Sequence, residues 1–293
     1  MASPPVADGP LFPGSVLGQR YRVDRPIGSG TMGTVYAAHD LPHDRPIALK
    51  VINRSHTADP TMVARFQREG RIIAGLRHPN IVNVLEVSQI DGDWVMAMEL
   101  LQGTNLADAI EATKAYEPRD VALILGGVLD ALEVAHAHQI VHRDIKPQNI
   151  FLVRAGGATE VKVLDFGVAK VVGLSAEDQL TRSGTILGTP EFMSPEQATG
   201  SPADYRSDLY AVACVAYAML CRRPPFIDDW PMRVVMKQAF AAPLPPSRLR
   251  PELAGTPGVD RWMAQALQKK PADRYQSAKE MRAALDTLSN ETA

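Results

Sequence analysis

Ile140-Val141-His142-Arg143-Asp144-Ile145-Lys146-Pro147-Gln148-Asn149-Ile150 is the stretch from which the rest of this chain is read. A helical pattern ends just before it, and the strand-like run Ile150-Phe151-Leu152-Val153 follows it. Between them lie an acid, a base and an amide: Asp144, Lys146 and Asn149. Asp144 and Asn149 stand five residues apart on what must be a tight loop. A carboxylate so placed can accept a proton from a hydroxyl. An Asn oxygen nearby can ligate a hard cation. A polar loop after a helix can carry an Asp by chance, but several spaced residues must coincide to give this pattern.

Composition sets outer bounds. The 293 residues are 45% hydrophobic and 22% charged, an ordinary globular make-up long enough for two lobes or one large domain. A formal net charge of -2 and a pI near 6.4 provide no global basic field for nucleic acid or an anionic membrane. Residues 1–18 carry Pro4, Pro5, Pro10 and Pro13 and no basic residue; they lack the basic start and apolar core of a signal peptide and are expected to form a disordered leader. The longest apolar run, 209–221, is shorter than the roughly 20 residues a membrane span needs. Cys214 and Cys221 fall on that run. On one helix they are about 10.5 Å apart in rise, beyond the ~7 Å limit for a disulfide, so both are expected reduced and in the core.

From the N-terminus, Tyr21-Arg22-Val23 opens a strand, and Ile27-Gly28-Ser29-Gly30-Thr31-Met32-Gly33-Thr34-Val35-Tyr36 follows. Glycines at 28, 30 and 33 let backbone N–H groups approach a phosphate. That spacing alone also fits a plain hairpin turn or a dinucleotide-binding turn. A dinucleotide turn opens a helix, whereas Thr34-Val35-Tyr36-Ala37-Ala38 reads as a second strand, which favours a hairpin lid over phosphates. The strand Pro46–Ile52 carries one lysine, Lys50, and a lone strand lysine usually snorkels to solvent.

Asp59-Pro60 starts a helix over 60–76, with Val63, Phe66, Ile73 and Leu76 on one face. Glu69, beside Arg68, reads by itself as a solvated side chain. Gly70 and Gly75 each cost about 1 kcal/mol relative to Ala, so this helix is expected to be weakly anchored. Two strands follow, 84–87 and 94–100, split by Asp91-Gly92-Asp93. Pro118 through His138 reads as a long helix with Val121, Leu125, Val128, Leu132 and Ala135 on one face. His136, His138 and His142 are close enough in sequence to raise a metal site as a minor alternative.

Val161-Lys162-Val163-Leu164-Asp165-Phe166-Gly167 sends a carboxylate out of a buried strand before a glycine, a setting for Mg²⁺ or for a simple strand-end turn. Residues 168–193 are long and polar and end in Gly188-Thr189-Pro190-Glu191-Phe192-Met193-Ser194-Pro195-Glu196. Asp208 then opens, and can cap, a helix apolar nearly all round, as a core helix is. Ser277-Ala278-Lys279-Glu280 reads as a capping box for the last helix.

Together these stretches resemble the eukaryotic-like (Hanks-type) protein kinases, and bacterial Ser/Thr protein kinases most of all. His142–Asn149 is similar to their catalytic loop, Ala48-Leu49-Lys50-Val51 to the strand lysine, Asp165-Phe166-Gly167 to the metal turn, and 188–196 to the end of the activation segment. The phrases His78-Pro79-Asn80-Ile81-Val82 and Ser194-Pro195-Glu196-Gln197 point to the bacterial branch. The resemblance covers about residues 20–287, with Ser194 in place of the usual Ala and Ala213 in place of a usual Gly.

It implies an α+β, two-lobed fold: a leader at 1–20, a β-rich N-lobe at 21–100, a larger helical C-lobe at 103–287, and a tail at 288–293. ATP would sit in a cleft between the lobes, with a hinge at 99–102. By resemblance Asp144 orients the substrate hydroxyl and accepts its proton, and Lys146 neutralises the γ-phosphate. Asn149 and Asp165 hold Mg²⁺ (or Mn²⁺). Lys50, paired with Glu69, binds the α- and β-phosphates. Ile27, Gly28, Ser29, Gly30, Gly33, Val35, Ala48 and Phe151 line the nucleotide. Met98 is the gatekeeper, and the backbones of Glu99 and Leu101 meet the adenine edge. Structural roles fall to His142, Arg143, Phe166, Gly167, Thr189, Glu196 paired with Arg274, and Asp208 holding the catalytic-loop backbone.

Thr181 and Ser183 are the expected phosphosites, their phosphates meeting Arg143. The expected function is phosphorylation of protein Ser or Thr, with autophosphorylation in trans through a homodimer. The expected location is cytoplasmic, in a soluble form or a fragment of a membrane-tethered parent. Two other classes compete: a pseudokinase scaffold, though no catalytic identity is missing, and a small-molecule phosphotransferase, which would lack the segment ending at Glu196.

Overall fold

Alternating apolar and polar residues from Tyr21 onward build a sheet in the computed structural model, which describes residues 11–30, 33–53, 60–155, 158–166 and 189–291. The chain divides into two units, one holding residues up to His78 with Val82–Gln102, the other Pro79–Ile81 with the residues from Gly103 on.

The first unit is a six-stranded antiparallel sheet in the order β1 (Val16–Leu17), β2 (Tyr21–Ser29), β3 (Gly33–Asp40), β4 (Arg45–Ile52), β6 (Asp93–Glu99), β5 (Val84–Ile90). Side chains alternate between faces along a strand. Tyr21, Val23, Tyr36, Ile47, Leu49 and Val95 therefore collect into one buried cluster. Residues 11–20, expected in a disordered leader, are instead built in. Leu17 pairs with Tyr21 and is buried, and the Gly18 N–H donates to Asp91 Oδ2 at 2.7 Å. The leader reading weighed proline content and missed an apolar residue at pairing register.

Helix α1 (Pro60–Gly75) buries Phe66, Ile73 and its neighbour Leu76. Gly70, read as a weakness, is a point of close approach: a Cβ there would lie 2.1 Å from Val87 Cγ2 on β5. The entropic cost of this glycine is set against a helix that could not otherwise approach the sheet so closely. The side chain of Glu69 lies outside the described residues, as do Asp59, Gly167, Thr181 and Ser183.

The second unit is mostly helical. Its small sheet joins β7 (Gly103–Asn105), β8 (Ile150–Ala155) and β9 (Ala158–Val163); helices α2 (Leu106–Ala112) and α3 (Pro118–Ala137) lie between β7 and β8 in the chain, and α4 (Pro195–Ala198), α5 (Tyr205–Cys221), α6 (Pro231–Phe240), α7 (Pro246–Leu249), α8 (Pro257–Ala266) and α9 (Ala278–Glu291) come after β9. Helix α5 is buried from Ser207 to Leu220, as its all-round apolar sequence requires. Cys214 and Cys221 on it are unbridged thiols.

Three details depart from the sequence reading. The cap of α5 is Asp204, whose Oδ1 accepts the Arg206 N–H at 2.8 Å; Asp208 sits inside the first turn and is used elsewhere. The box at α9 is half formed. Ser277 Oγ accepts the Glu280 N–H at 3.0 Å, but the Glu280 carboxylate reaches the N–H of Gln276, not of Ser277. Helix α9 also runs on to Glu291, into the stretch read as a tail. Among the described residues no helix is long and apolar enough to cross a membrane.

Candidate active site

In the first unit, strand register decides which side chains share a face. Directly opposed residues of an antiparallel pair lie on the same face. Val35 opposes Lys50, Lys50 opposes Met96, and Ala48 opposes Met98. Val35, Ala48, Lys50 and Met98 therefore stand together on the face opposite the Ile47–Leu49 cluster, and Lys50 is only 9% exposed. The β2–β3 hairpin pairs Gly28 with Val35 and closes with a Gly30 N–H to Gly33 carbonyl bond of 2.9 Å. Gly33 has a packing role of its own, since a Cβ there would lie 2.2 Å from the Val51 carbonyl oxygen on β4. Ile27 is exposed beside this hairpin. At the end of β6, the Glu99 N–H donates to Asn83 O at 3.0 Å and the Asn83 N–H to Glu99 Oε1 at 2.8 Å, which fixes the backbone leading to Leu101.

In the second unit, the loop between α3 and β8 is held from below by one carboxylate. Asp208 Oδ2 accepts the backbone N–H of His142 at 2.8 Å, and Oδ1 accepts that of Arg143 at 2.7 Å. Asp208 is 1% exposed, so these bonds form away from water and are correspondingly strong. They hold Arg143 at φ +63, a conformation that costs of order 1–3 kcal/mol for a non-glycine residue.

His142 is fully buried. Its Nδ1 accepts the Asp144 N–H at 3.2 Å, so Nε2 carries the ring proton and donates to the Leu164 carbonyl at 2.9 Å. Burial pushes its pKa down, which keeps the ring neutral in that tautomer. The ring packs on Phe166, centroids 4.6 Å apart.

The chemistry-bearing groups follow from this frame. Lys146 Nζ lies 3.0 Å from Asp144 Oδ2. Asn149 Nδ2 donates to the Asp144 carbonyl at 2.8 Å and to its carboxylate at 3.1 Å. The Leu164 N–H donates to the Asn149 carbonyl at 2.9 Å, which brings Asp165 beside Asn149. Asp165 is exposed and has φ +44. Phe151 lies on β8, opposite Asn105 and Lys162.

Both hydrogens of the Asn149 amide are used on Asp144, so its Oδ1 is turned the other way, and among the described residues it accepts no hydrogen bond. An Asn oxygen and an adjacent exposed carboxylate fit a hard divalent cation. Two oxygens are too few to enclose such an ion, and among the described residues no group of three His, Cys, Asp or Glu could do so. The three histidines raised as an alternative metal site are each otherwise engaged: His136 Nε2 with Asp208 Oδ2 at 2.8 Å, His138 Nδ1 with the Val134 carbonyl at 2.8 Å, and His142 as above.

The segment from Thr189 onward is tied to this loop. Thr189 precedes the turn Pro190–Phe192, and Ser194 caps α4 in a capping box with Gln197. Gln197 Nε2 donates to the Arg143 carbonyl at 3.0 Å. Arg274 meets Glu196 with two bonds of 2.9 and 2.7 Å, and the Ser207 hydroxyl adds a third at 2.5 Å. Although burial raises the Glu196 pKa, these partners hold it below the usual carboxylate range. Sequence reasoning gave no role to the side chains of Gln197 and Ser207 and raised His136 only as a metal ligand. The S-x-x-Q spacing at 194–197 was a signal for the first; the other two become visible only when helices pack.

A family model described as protein kinase domain matches residues 21–284. Ser/Thr-protein kinase pkn3 of Myxococcus xanthus is 40% identical over 284 residues, 96% of this chain and 52% of that protein. A probable Ser/Thr-protein kinase, PknB, of Corynebacterium glutamicum is 39% identical over 280 residues, 94% of this chain and 43% of its own length. The chain thus spans about half the length of the curated relatives it matches. The crystal structure of the Mycobacterium tuberculosis PknI kinase domain superposes with a TM-score of 0.74 at 28% identity, covering 95% of this chain and 100% of that one. With its β-rich N-terminal unit, helical C-terminal unit and His142–Asn149 loop, the chain belongs to the eukaryotic-like protein kinase family, among relatives named as bacterial Ser/Thr kinases.

Proposed function

We propose that this chain transfers the γ-phosphate of ATP to Ser and Thr hydroxyls of proteins. The observation that carries the reading is the Asp144–Lys146–Asn149 cluster: a carboxylate, a cation 3.0 Å from it, and an amide fixed by two bonds to the same Asp. A carboxylate in that setting orients an incoming hydroxyl and takes its proton as the new bond forms. Lys146 neutralises charge on the transferred group. Lys50, with Glu69, binds the α- and β-phosphates. Ile27, Gly28, Ser29, Gly30, Gly33, Val35, Ala48, Met98 and Phe151 line the nucleotide, whose adenine edge meets the backbones of Glu99 and Leu101.

The family implies ATP and a divalent cation. We assign that ion as Mg²⁺ or Mn²⁺, held by Asn149 and Asp165, where it supplies charge neutralisation at the phosphates. Autophosphorylation in trans, by a homodimer, at Thr181 or Ser183 completes the proposal. Arg143, directly before the catalytic Asp, is the cation suited to receive such a phosphate. The setting is cytoplasmic.

Incubation with labelled ATP and a generic protein substrate, followed by phosphosite mapping, tests the reading. Phosphate on Ser or Thr of the substrate and within residues 175–189 supports it. Nucleotide binding without transfer would instead favour a pseudokinase.

A further inference from the structure

Beneath the turn Pro190–Phe192 runs a chain of buried polar side chains that phosphoryl transfer itself does not use. Gln238, on α6, has no exposed surface. Its Nε2 donates to the carbonyls of Pro190 at 3.2 Å and Glu191 at 2.7 Å. Its Oε1 accepts from the Tyr210 hydroxyl of α5 at 2.7 Å. The Tyr210 oxygen in turn accepts from Lys269 Nζ at 3.0 Å. Lys269 also donates to the Gln238 carbonyl at 2.8 Å, and its ammonium stands 4.5 Å from the Phe226 ring centre.

Counting protons fixes the direction of this chain. An ammonium has only donors, so Tyr210 must accept from it, and the single Tyr210 proton is left for Gln238. The Gln238 oxygen is thereby committed, and its two N–H hydrogens face the two carbonyls of the turn. The opposite amide orientation would set an oxygen against those carbonyls. Lys269 at one end thus orients the amide at the other.

The turn continues directly into Ser194 and α4, whose Gln197 bonds the carbonyl of Arg143, the residue before Asp144. Turn and loop therefore belong to one hydrogen-bonded assembly. Through Gln197 this segment is tied to the residue before Asp144, where the proposed reaction places the substrate hydroxyl.

We propose that Gln238 is a positioning residue for the protein substrate, holding the Pro190–Phe192 backbone in its receiving shape, with Tyr210 and Lys269 setting its amide. This rests on the protein kinase reading. Around Lys269 the other ionisable groups are the Cys214 thiol, pushed up to about 12 by burial, the Tyr210 phenol, raised well above its ordinary value by burial, and the Arg274 guanidinium, occupied by Glu196. The Lys237 ammonium is bound to Asp228 at 2.8 Å. Burial lowers Lys269 itself to about 8, so its proton is lost at accessible pH.

Steady-state kinetics of the full chain with a Ser-bearing peptide test this. Tyr210→Phe, which keeps the ring and removes only the link, should raise KM for the peptide ~10-fold, with KM for ATP and kcat within ~2-fold of wild type. Gln238→Leu should do the same. In the wild type, KM for the peptide should climb as pH passes about 8, whereas in Lys269→Met it should start high and stay flat. An unchanged peptide KM in Tyr210→Phe, or a parallel loss in kcat and both KM values, overturns the positioning role while the kinase reading stands. A wild type that phosphorylates no Ser or Thr peptide overturns both.

Discussion

Asn149 donates to Asp144 twice, to its carbonyl at 2.8 Å and to its carboxylate at 3.1 Å, so one side chain both orients the proposed base and turns its own oxygen toward the proposed metal. Asn149→Asp keeps an oxygen for a cation but breaks the orienting function. It removes the donor and sets a second carboxylate against Asp144, and like charges raise proton affinity. We expect kcat/KM to fall at least ~10²-fold, with the fold retained. The accompanying metal test is turnover in Mg²⁺, Mn²⁺, Ca²⁺ or excess EDTA. Mg²⁺ or Mn²⁺ should be required and Ca²⁺ a poor substitute, because two protein oxygens leave the rest of the shell to phosphate and water. Undiminished turnover in EDTA contradicts the assignment.

Asp208→Ala should disable the catalytic loop without touching any reacting group. Two buried N–H groups, of His142 and Arg143, lose their acceptor, at about 1–3 kcal/mol each. Arg143 then loses one of the bonds that hold it at φ +63. A thermal melt should show a lowered midpoint, and turnover should fall further than loss of folded protein explains. A variant with wild-type midpoint and rate would remove Asp208 from the frame.

The Glu196–Arg274 pair gives a pH prediction. Glu196 is held below its unfolded value near 4.5, so in the native state it stays ionised where the unfolded chain would bind a proton. Its stabilisation is present above about pH 4.5 and is lost as pH falls through its lower native value. Melting midpoints measured from pH 7 downward should therefore drop below about pH 4.5, and Glu196→Gln should flatten that part of the curve. At neutral pH the same variant leaves Arg274 buried without its carboxylate, which should cost about 3–5 kcal/mol in a denaturant titration.

The site was more legible than its support. Asp144, Lys146 and Asn149 could be named because a short loop fixes their mutual distance whatever surrounds it. Lys50, alone in an apolar strand, gained a meaning only from motifs elsewhere, and its facing with Val35, Ala48 and Met98 depends on register, which residues 15 to 50 apart in the chain settle only on pairing. His136, Ser207 and Gln238 act across helix contacts, and no local spacing announces such partners. Gly70 was misread because helix propensity counts an exposed glycine as a loss, while here it faces a strand. Leu17 was misread because proline content outweighed a single apolar residue.

The most direct test of the central claim is phosphoryl transfer from ATP to a protein substrate by wild type, Asp144→Asn and Lys50→Met, each checked for folding by its melting midpoint. Asp144→Asn removes the proton acceptor and Lys50→Met the proposed phosphate cation, and neither is a large apolar core residue. The account predicts a loss of at least ~10²-fold in kcat/KM for each, with midpoints near that of wild type. Turnover within ~3-fold of wild type for both variants would contradict the mechanism.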